Sequence, residues 1–354
     1  MTHTIPLVYL VVFLSLLPCA SLAEVMPGDS IELSGSVKKA KDISALAFIG
    51  SHLIIGSDET SFVQVLERKQ NGYAVPSDDG RISIILPGSP FVDVKEVDIE
   101  GIAVDRRTVY VIGSHARVRP AGDTDTELYS INRAHLDESP GVSENKQKFG
   151  ARNIVAKFEL DDTGVASNLQ NSSLLDLLNS IYPFKLFRDI PSKENGVDIE
   201  GLAVRNGKLY AGFRGPVLRG NFVPILEFDF RDPLAQHRVL YVKLAGRGVR
   251  DMVAVSNGFL ILAGPLGDGK SSYQIYFWNG EDVVCGKDRP DASKALVLLG
   301  EVPMISSDGK AEGLTVIGEV DSTYKVVLAF DGIENGGLRM YSVTQHGAIP
   351  SSCD

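Results

Sequence analysis

Past its first two dozen residues, this 354-residue chain has no stretch long and apolar enough to cross a bilayer, so no transmembrane anchor is expected in a mature chain. Basic residues are in deficit: 35 Lys and Arg stand against 45 Asp and Glu, a net charge of −10 with no acidic or basic tail. An acidic chain repels phosphate backbones, which argues against nucleic acid as a partner. Neither a Gly-x-Ser-x-Gly elbow nor a His-Glu-x-x-His zinc motif occurs, which removes the commonest serine and zinc hydrolases but not catalysis itself. Cysteine is scarce, with Cys19, Cys285 and Cys353 only.

The N-terminus has the form of an export signal. Ile5 to Leu17 is an apolar run of signal-peptide length, Pro18-Cys19-Ala20 interrupts it, and Ser21-Leu22-Ala23 offers small residues for cleavage before Glu24. The expected product is periplasmic or secreted. Cys19 raises a lipoprotein alternative, but Pro18 stands where a lipid-modification motif wants a small residue. Cleavage leaves Cys285 and Cys353. In an oxidising compartment the pair is expected to form a disulfide closing 68 residues of chain, with two free thiols as the alternative.

At 44% hydrophobic and 23% charged, the chain has the composition of a folded protein. Its organisation comes from a repeated sentence. Asp98-Ile99-Glu100-Gly101-Ile102-Ala103-Val104 runs into Thr108-Val109-Tyr110-Val111-Ile112-Gly113, and Asp198-Ile199-Glu200-Gly201-Leu202-Ala203-Val204 runs into Lys208-Leu209-Tyr210-Ala211-Gly212. Fainter copies start at Asp42, Arg250 and Ala311. Five starts, with several short strands after each, predict an all-β propeller of five blades, or six if 150–195 hides one. Asn206-Gly207 and Asn257-Gly258 are tight-hairpin signals. Small residues such as Ala47, Gly101 and Gly201 suit an innermost strand, where blades converge.

In domain terms, 1–23 is the signal peptide, 24–41 a lead whose strand near Ser30–Leu33 is expected to close the ring, and 42–354 one propeller. Glu127–Ile131 and Asn153–Leu160 read as outer strands of the second unit. After Gly164 the period changes. Leu174, Leu177, Leu178 and Ile181 fall on one helical face behind Ser173 and Asp176 as a capping box, so 165–195 reads as an insertion with a short helix near 171–182.

Three features bear on chemistry. Gly264 to Ser271 matches the phosphate-loop pattern, but a strand-like segment, Ser272 to Trp278, follows where that loop needs a helix, so a glycine-rich hairpin loop is expected instead. Glu100, Glu200, Asp251 and Glu312 occupy one slot of the repeat, with Ser44 in the first unit. Ring closure would set four carboxylates at one height, a candidate site for calcium. The competing structural reading has them accept backbone N–H bonds or pair with Arg117, Arg214 or Arg250. Finally, the residues after each second strand should converge on one rim. Asp58, Arg117, Arg214 and Asp331 are candidate ligand contacts there, and His115 is the candidate base.

The Asp-Ile-Glu-Gly repeats, Gly113-Ser114-His115-Ala116-Arg117, Phe213-Arg214-Gly215-Pro216 and Ala311-Glu312-Gly313-Leu314-Thr315 resemble the bacterial family called domain of unknown function 3616, over roughly Asp42 to Val343. That resemblance implies a propeller-like, often exported protein and no assigned activity. The Glu-Gly-Leu-Ala element is also similar to that of esterase-like phytase propellers and, more distantly, of calcium-dependent lactonases. Two readings stay open. The favoured one is a binding propeller that takes a small molecule, glycan or protein at the channel mouth. The alternative is a calcium-assisted hydrolase of an ester, lactone or phosphoester, in which His115 serves as base and Arg117 and Arg214 meet an anionic substrate.

Overall fold

Alternation explains why the strands form and where they go. In Lys208–Gly215, Leu209, Ala211 and Phe213 face one way and Tyr210 the other, and both sets are buried, in two different hydrophobic clusters. A strand buried on both faces belongs between two neighbouring sheets. The computed structural model describes residues 24–117, 150–267, 271–286 and 291–345, and it arranges them as five sheets.

The lead gives β1 (Glu24–Ser30) and β2 (Glu32–Ser34). Blade one comprises β3 (Ile43–Ile49), β4 (His52–Ser57) and β5 (Phe62–Lys69), whose outer edge is shared by β6 (Gly72–Ala74) and β7 (Arg81–Ser83). Blade two is β8 (Ile99–Asp105), β9 (Thr108–Gly113), β10 (Val155–Leu160) and β11 (Ala166–Ser172). Blade three is β12 (Asp198–Arg205), β13 (Lys208–Gly215), β14 (Phe222–Phe228) and β15 (His237–Lys243). Blade four is β16 (Gly248–Val255), β17 (Gly258–Gly264), β18 (Gln274–Trp278) and β19 (Leu296–Glu301). Blade five is β20 (Lys310–Val320), β21 (Thr323–Asp331) and β22 (Arg339–Thr344), completed by β1.

The inner strands β3, β8, β12, β16 and β20 touch in that cyclic order, and β20 returns to β3. This is a five-bladed propeller. Each of the five hydrophobic clusters fills one blade–blade interface, including the seam between blades five and one, where Val327 and Ala329 meet Ile43 and Leu46. Close approach explains the glycines: a Cβ on Gly101 would lie 2.8 Å from the Leu202 nitrogen, and one on Gly201 would lie 3.0 Å from the Asp251 carbonyl carbon. Asn206 (φ +52°) and Gly207 (φ +75°) make the left-handed turn between β12 and β13.

Two expectations change in detail. The strand pairing with the last blade is Glu24–Ser30, through Glu24–Thr344 and Val25–Val343, whereas Glu32–Ser34 runs parallel to β6 in blade one. The stretch from 165 is not an insertion at its start. Ala166–Ser172 is the fourth strand of blade two, and no sixth blade arises among the described residues. The insertion begins at Ser173 with the one-and-a-half-turn helix α1 (Leu175–Ser180). It docks through buried Leu174, Leu177, Leu178 and Phe184. The capping box does not form: the Ser173 hydroxyl accepts the Leu175 N–H at 3.1 Å, and Leu174 caps without a side-chain bond.

No helix among the described residues is long and apolar enough to span a membrane, a statement that does not extend to strands. The signal peptide, Cys19, the strand expected at 127–131 and Cys353 lie outside the described residues, so the disulfide expectation does too.

Candidate functional site: the acidic mouth of the channel

Every inner strand carries a β-bulge near its start. The pairing jumps from Ile43 to Ala45, Ile99 to Gly101, Ile199 to Gly201, Val249 to Asp251 and Ala311 to Gly313. The residues left unpaired are Ser44, Glu100, Glu200, Arg250 and Glu312. A bulge re-aims a side chain out of the regular alternation, and here it sets one side chain per blade at one level of the hub.

This register corrects the sequence alignment in the fourth unit by one residue. Asp251 does not share the slot of Glu100, Glu200 and Glu312; Arg250 does, and Asp251 falls opposite Gly101, Gly201 and Gly313. The reason is packing. Met252 is buried like Leu202 and Leu314, so the apolar position following the slot fixes the frame. Asp251 instead accepts N–H bonds from Met252 at 2.7 Å and from Leu314 of blade five at 2.6 Å, with the Leu202 amide of blade three also bonding to it. It pins three inner strands together.

The remaining ring residues are bound to one another with one exception. Glu200, 2% exposed, lies 2.8 Å from the Arg214 guanidinium and 3.0 Å from that of Arg250. Arg250 also pairs with Glu312. Arg214 donates through Nε to Asp198 at 2.8 Å. Burial opposes the charge on Arg214, but Asp198, Glu200 and Glu100 outweigh it and hold its pKa above the ordinary value. Ser44 donates to the Ile99 carbonyl of the next blade. Around these, Arg152 bridges Glu96 and Asp98, and Lys310 pairs with Asp331 at 2.8 Å.

Glu100 is the exception. It forms no hydrogen bond or ion pair with any described residue. Arg152 and Arg214 feel its charge, but each is committed to other carboxylates. It lies deep in the hub yet keeps accessible surface, so it borders the open channel. Burial first, and then the charges of Glu200, Asp98 and Asp58, push its pKa well above the usual carboxylate range. Asp58, in the turn after β4, is its counterpart: its Oδ1 is buried without a partner. Burial, together with Asp98, Asp331, Asp42 and Glu59, raises the Asp58 carboxyl to about 7. Beside the Asp58 turn, Lys38, Ser57, Thr60 and Gln64 help line a small cavity of about 200 Å³.

The other sequence candidates separate. His115 is fully buried, its Nδ1 donating to the Gly113 carbonyl at 2.8 Å and its Nε2 accepting the Leu174 N–H at 3.2 Å. Burial lowers its pKa to about 3. The ring is a neutral strut that fastens the insertion to blade two, with no nitrogen free to take a substrate proton. Arg117 sits on the outer rim, donating to the Asp189 carbonyl at 2.7 Å. Arg214 is in the hub and already paired, as is Asp331. Among the described residues, no three His, Cys, Asp or Glu side chains gather closely enough to hold a metal ion. Three of the four proposed calcium ligands are held by arginine or backbone amides.

Sequence reading missed Asp98, Asp198 and Arg152. The first two open each copy of the repeated sentence, so a signal was there; Arg152 stands outside any repeat.

The chain belongs to the family described as "Protein of unknown function (DUF3616)". The family model matches residues 42–340. No curated protein matches. Solved structures similar to this chain include the glutaminyl cyclase of Myxococcus xanthus (10% identity, 90% of this chain and 95% of that one, TM-score 0.44). Others are the PQQ-bound aldose sugar dehydrogenase of Streptomyces coelicolor (10%, 91% and 98%, 0.41) and the Nup133 β-propeller domain of Vanderwaltozyma polyspora (11%, 85% and 71%, 0.38). The members of this family share an undefined activity, and at these identities no activity is taken from the solved structures.

Proposed function

We propose that this DUF3616 protein works outside the cytoplasm as a binding propeller that takes a small ligand at the mouth of its central channel. One observation carries the reading. In a hub where Arg152, Arg214, Arg250 and Lys310 are all matched to carboxylates, Glu100 and one oxygen of Asp58 have no protein partner. Buried polar groups are costly unless bonded, so an unmatched acid beside an open channel points to a partner that comes from solution. The strut role of His115 and the engagement of Glu200, Asp251 and Glu312 favour binding over the calcium-assisted hydrolase. Export rests on the N-terminal sequence pattern.

The test is a thermal-shift screen of purified mature protein against sugars, amines, lactones and phosphoesters, with and without calcium, hits being assayed for turnover. The reading expects a ligand whose stabilising effect is lost in the Glu100→Gln, Asp58→Asn double variant. A hit that the double variant binds as well as wild type does overturns it, and calcium-dependent turnover turns the assignment to the hydrolase. Export is checked by fractionation and by N-terminal sequencing, which should find Glu24.

A further inference from the structure

The two unmatched carboxylates also say which ligand chemistry fits. We propose that the channel mouth selects a small primary ammonium group, gripped between Glu100 of blade two and Asp58 of blade one; this deepens, and rests on, the binding reading above. The argument is one of subtraction. At the five bulge positions, Ser44 is satisfied by a neighbouring carbonyl, and Glu200, Arg250 and Glu312 satisfy one another. Only Glu100 is left, and it faces the channel. Asp58 stands close enough for its charge to act on Glu100, and its Oδ1 is wholly enclosed with no donor in reach. Both vacancies are acceptors, so the ligand must bring donors.

The negative field narrows the choice further. Asp98 and Glu200 add to the potential at Glu100, and Asp98 and Asp331 to that at Asp58. An anionic or neutral ligand would meet this field without relieving it. A bare divalent cation wants six or more oxygens, and the neighbouring carboxylates are already spoken for by guanidinium groups and backbone amides. An alkylammonium needs only about three acceptors, matching its three N–H donors. Charge-assisted hydrogen bonds from it to two carboxylates are stronger than neutral ones. A quaternary ammonium carries the same charge but no N–H, so it separates hydrogen bonding from general attraction.

The experiment uses the mature protein and four named probes at equal ionic strength: ethylammonium, tetramethylammonium, potassium and calcium chlorides. Thermal shift and calorimetric titration should show saturable stabilisation by ethylammonium alone. In Glu100→Gln, half-saturation should move at least tenfold upward, and Asp58→Asn provides a second variant should the first fold poorly; Asp162→Asn on the outer rim should behave as wild type. The proposal is overturned if tetramethylammonium or potassium matches ethylammonium, if calcium alone saturates the site, or if both hub variants respond to ethylammonium as wild type does. Should no amine bind while a neutral screening hit still depends on Glu100, the ammonium assignment fails and the channel-mouth reading stands.

Discussion

Replacing Asp58 by asparagine should make the protein more stable, and only above about pH 5. The carboxyl sits near 3.8 in an unfolded chain and about 7 in the folded one. The causes are burial first, then the charges of Asp98, Asp331, Asp42 and Glu59. The cations on these elements are committed elsewhere, Lys39 to Glu59, Lys310 to Asp331 and Arg152 to Asp98. Because folding raises this pKa, the folded chain binds the proton more tightly than the unfolded chain. The stability associated with that proton is intact below about pH 4 and is lost as pH rises through about 7. A displacement of that size corresponds to at most about 4 kcal/mol. Relaxation of the turn and entry of water will reduce it, so about 2 kcal/mol is the working expectation.

Asparagine has the same shape, and no hydrogen bond to the Asp58 carboxylate is lost. Urea unfolding of both proteins at intervals from pH 4 to pH 8 checks the reasoning. The gap between variant and wild type should be near zero at the acid end and should widen with pH in favour of the variant. Using the difference cancels the titration of every other carboxylate. A gap that is constant across the range, or that favours wild type at pH 8, refutes the picture of an unmatched acid that is unwelcome when charged.

Other perturbations probe the hub from different sides. Glu200→Gln strips charge from between two buried guanidinium groups, and breaking such a pair should cost about 3 kcal/mol in urea unfolding, whereas Glu100→Gln should be neutral or stabilising at pH 8. Gly101→Ala places a Cβ 2.7 Å from the Leu202 Cβ and 2.8 Å from its backbone nitrogen, so over-packing of about 1–3 kcal/mol is expected, read as a lower melting temperature. Removing Glu24–Ser30 takes away the outermost strand of blade five and buried Val25. The bare edge of β22 should then drive self-association, seen as oligomers by light scattering.

Much of the architecture was legible because it is periodic. A strand between two sheets needs apolar residues on both faces and small ones near the axis, and the Gly-hydrophobic-Ala sentence states both needs in each unit. What periodicity cannot convey is a bulge. An unpaired residue shifts the frame of everything before it, so aligning unit four on its acid put Asp251 in a slot that belongs to Arg250. The apolar residue two positions on, Met252, would have given the right frame, because burial is what the repeat conserves physically. The strand Ala166–Ser172 was hidden for a similar reason. It is an outer strand with only partly buried residues, and an edge strand that packs on one side has little apolar pattern to show. The strut role of His115 depends on Leu174, which is distant in sequence.

The corrected frame also explains why the vacancy falls at Glu100 and nowhere else. Read around the ring, the bulge positions are Ser44, Glu100, Glu200, Arg250 and Glu312. Arg250 sits between two acids and serves both, so the sector of blades three to five is neutralised from within. Blades one and two hold a serine and an acid, and the serine is spent on a carbonyl. A cation at position 44 would therefore complete the ring. The same slot holds long side chains in four other blades, so its geometry suits length, and Ser44→Lys should place an ammonium group toward Glu100 from the adjacent strand. If the vacancy is the reason a soluble amine binds, this variant should be at least as stable as wild type at pH 8 and should no longer gain melting temperature from ethylammonium. A Ser44→Lys protein that folds normally and still responds to ethylammonium with wild-type half-saturation would show that the amine binds elsewhere, and that the unmatched acid of blade two has nothing to do with what the channel takes up.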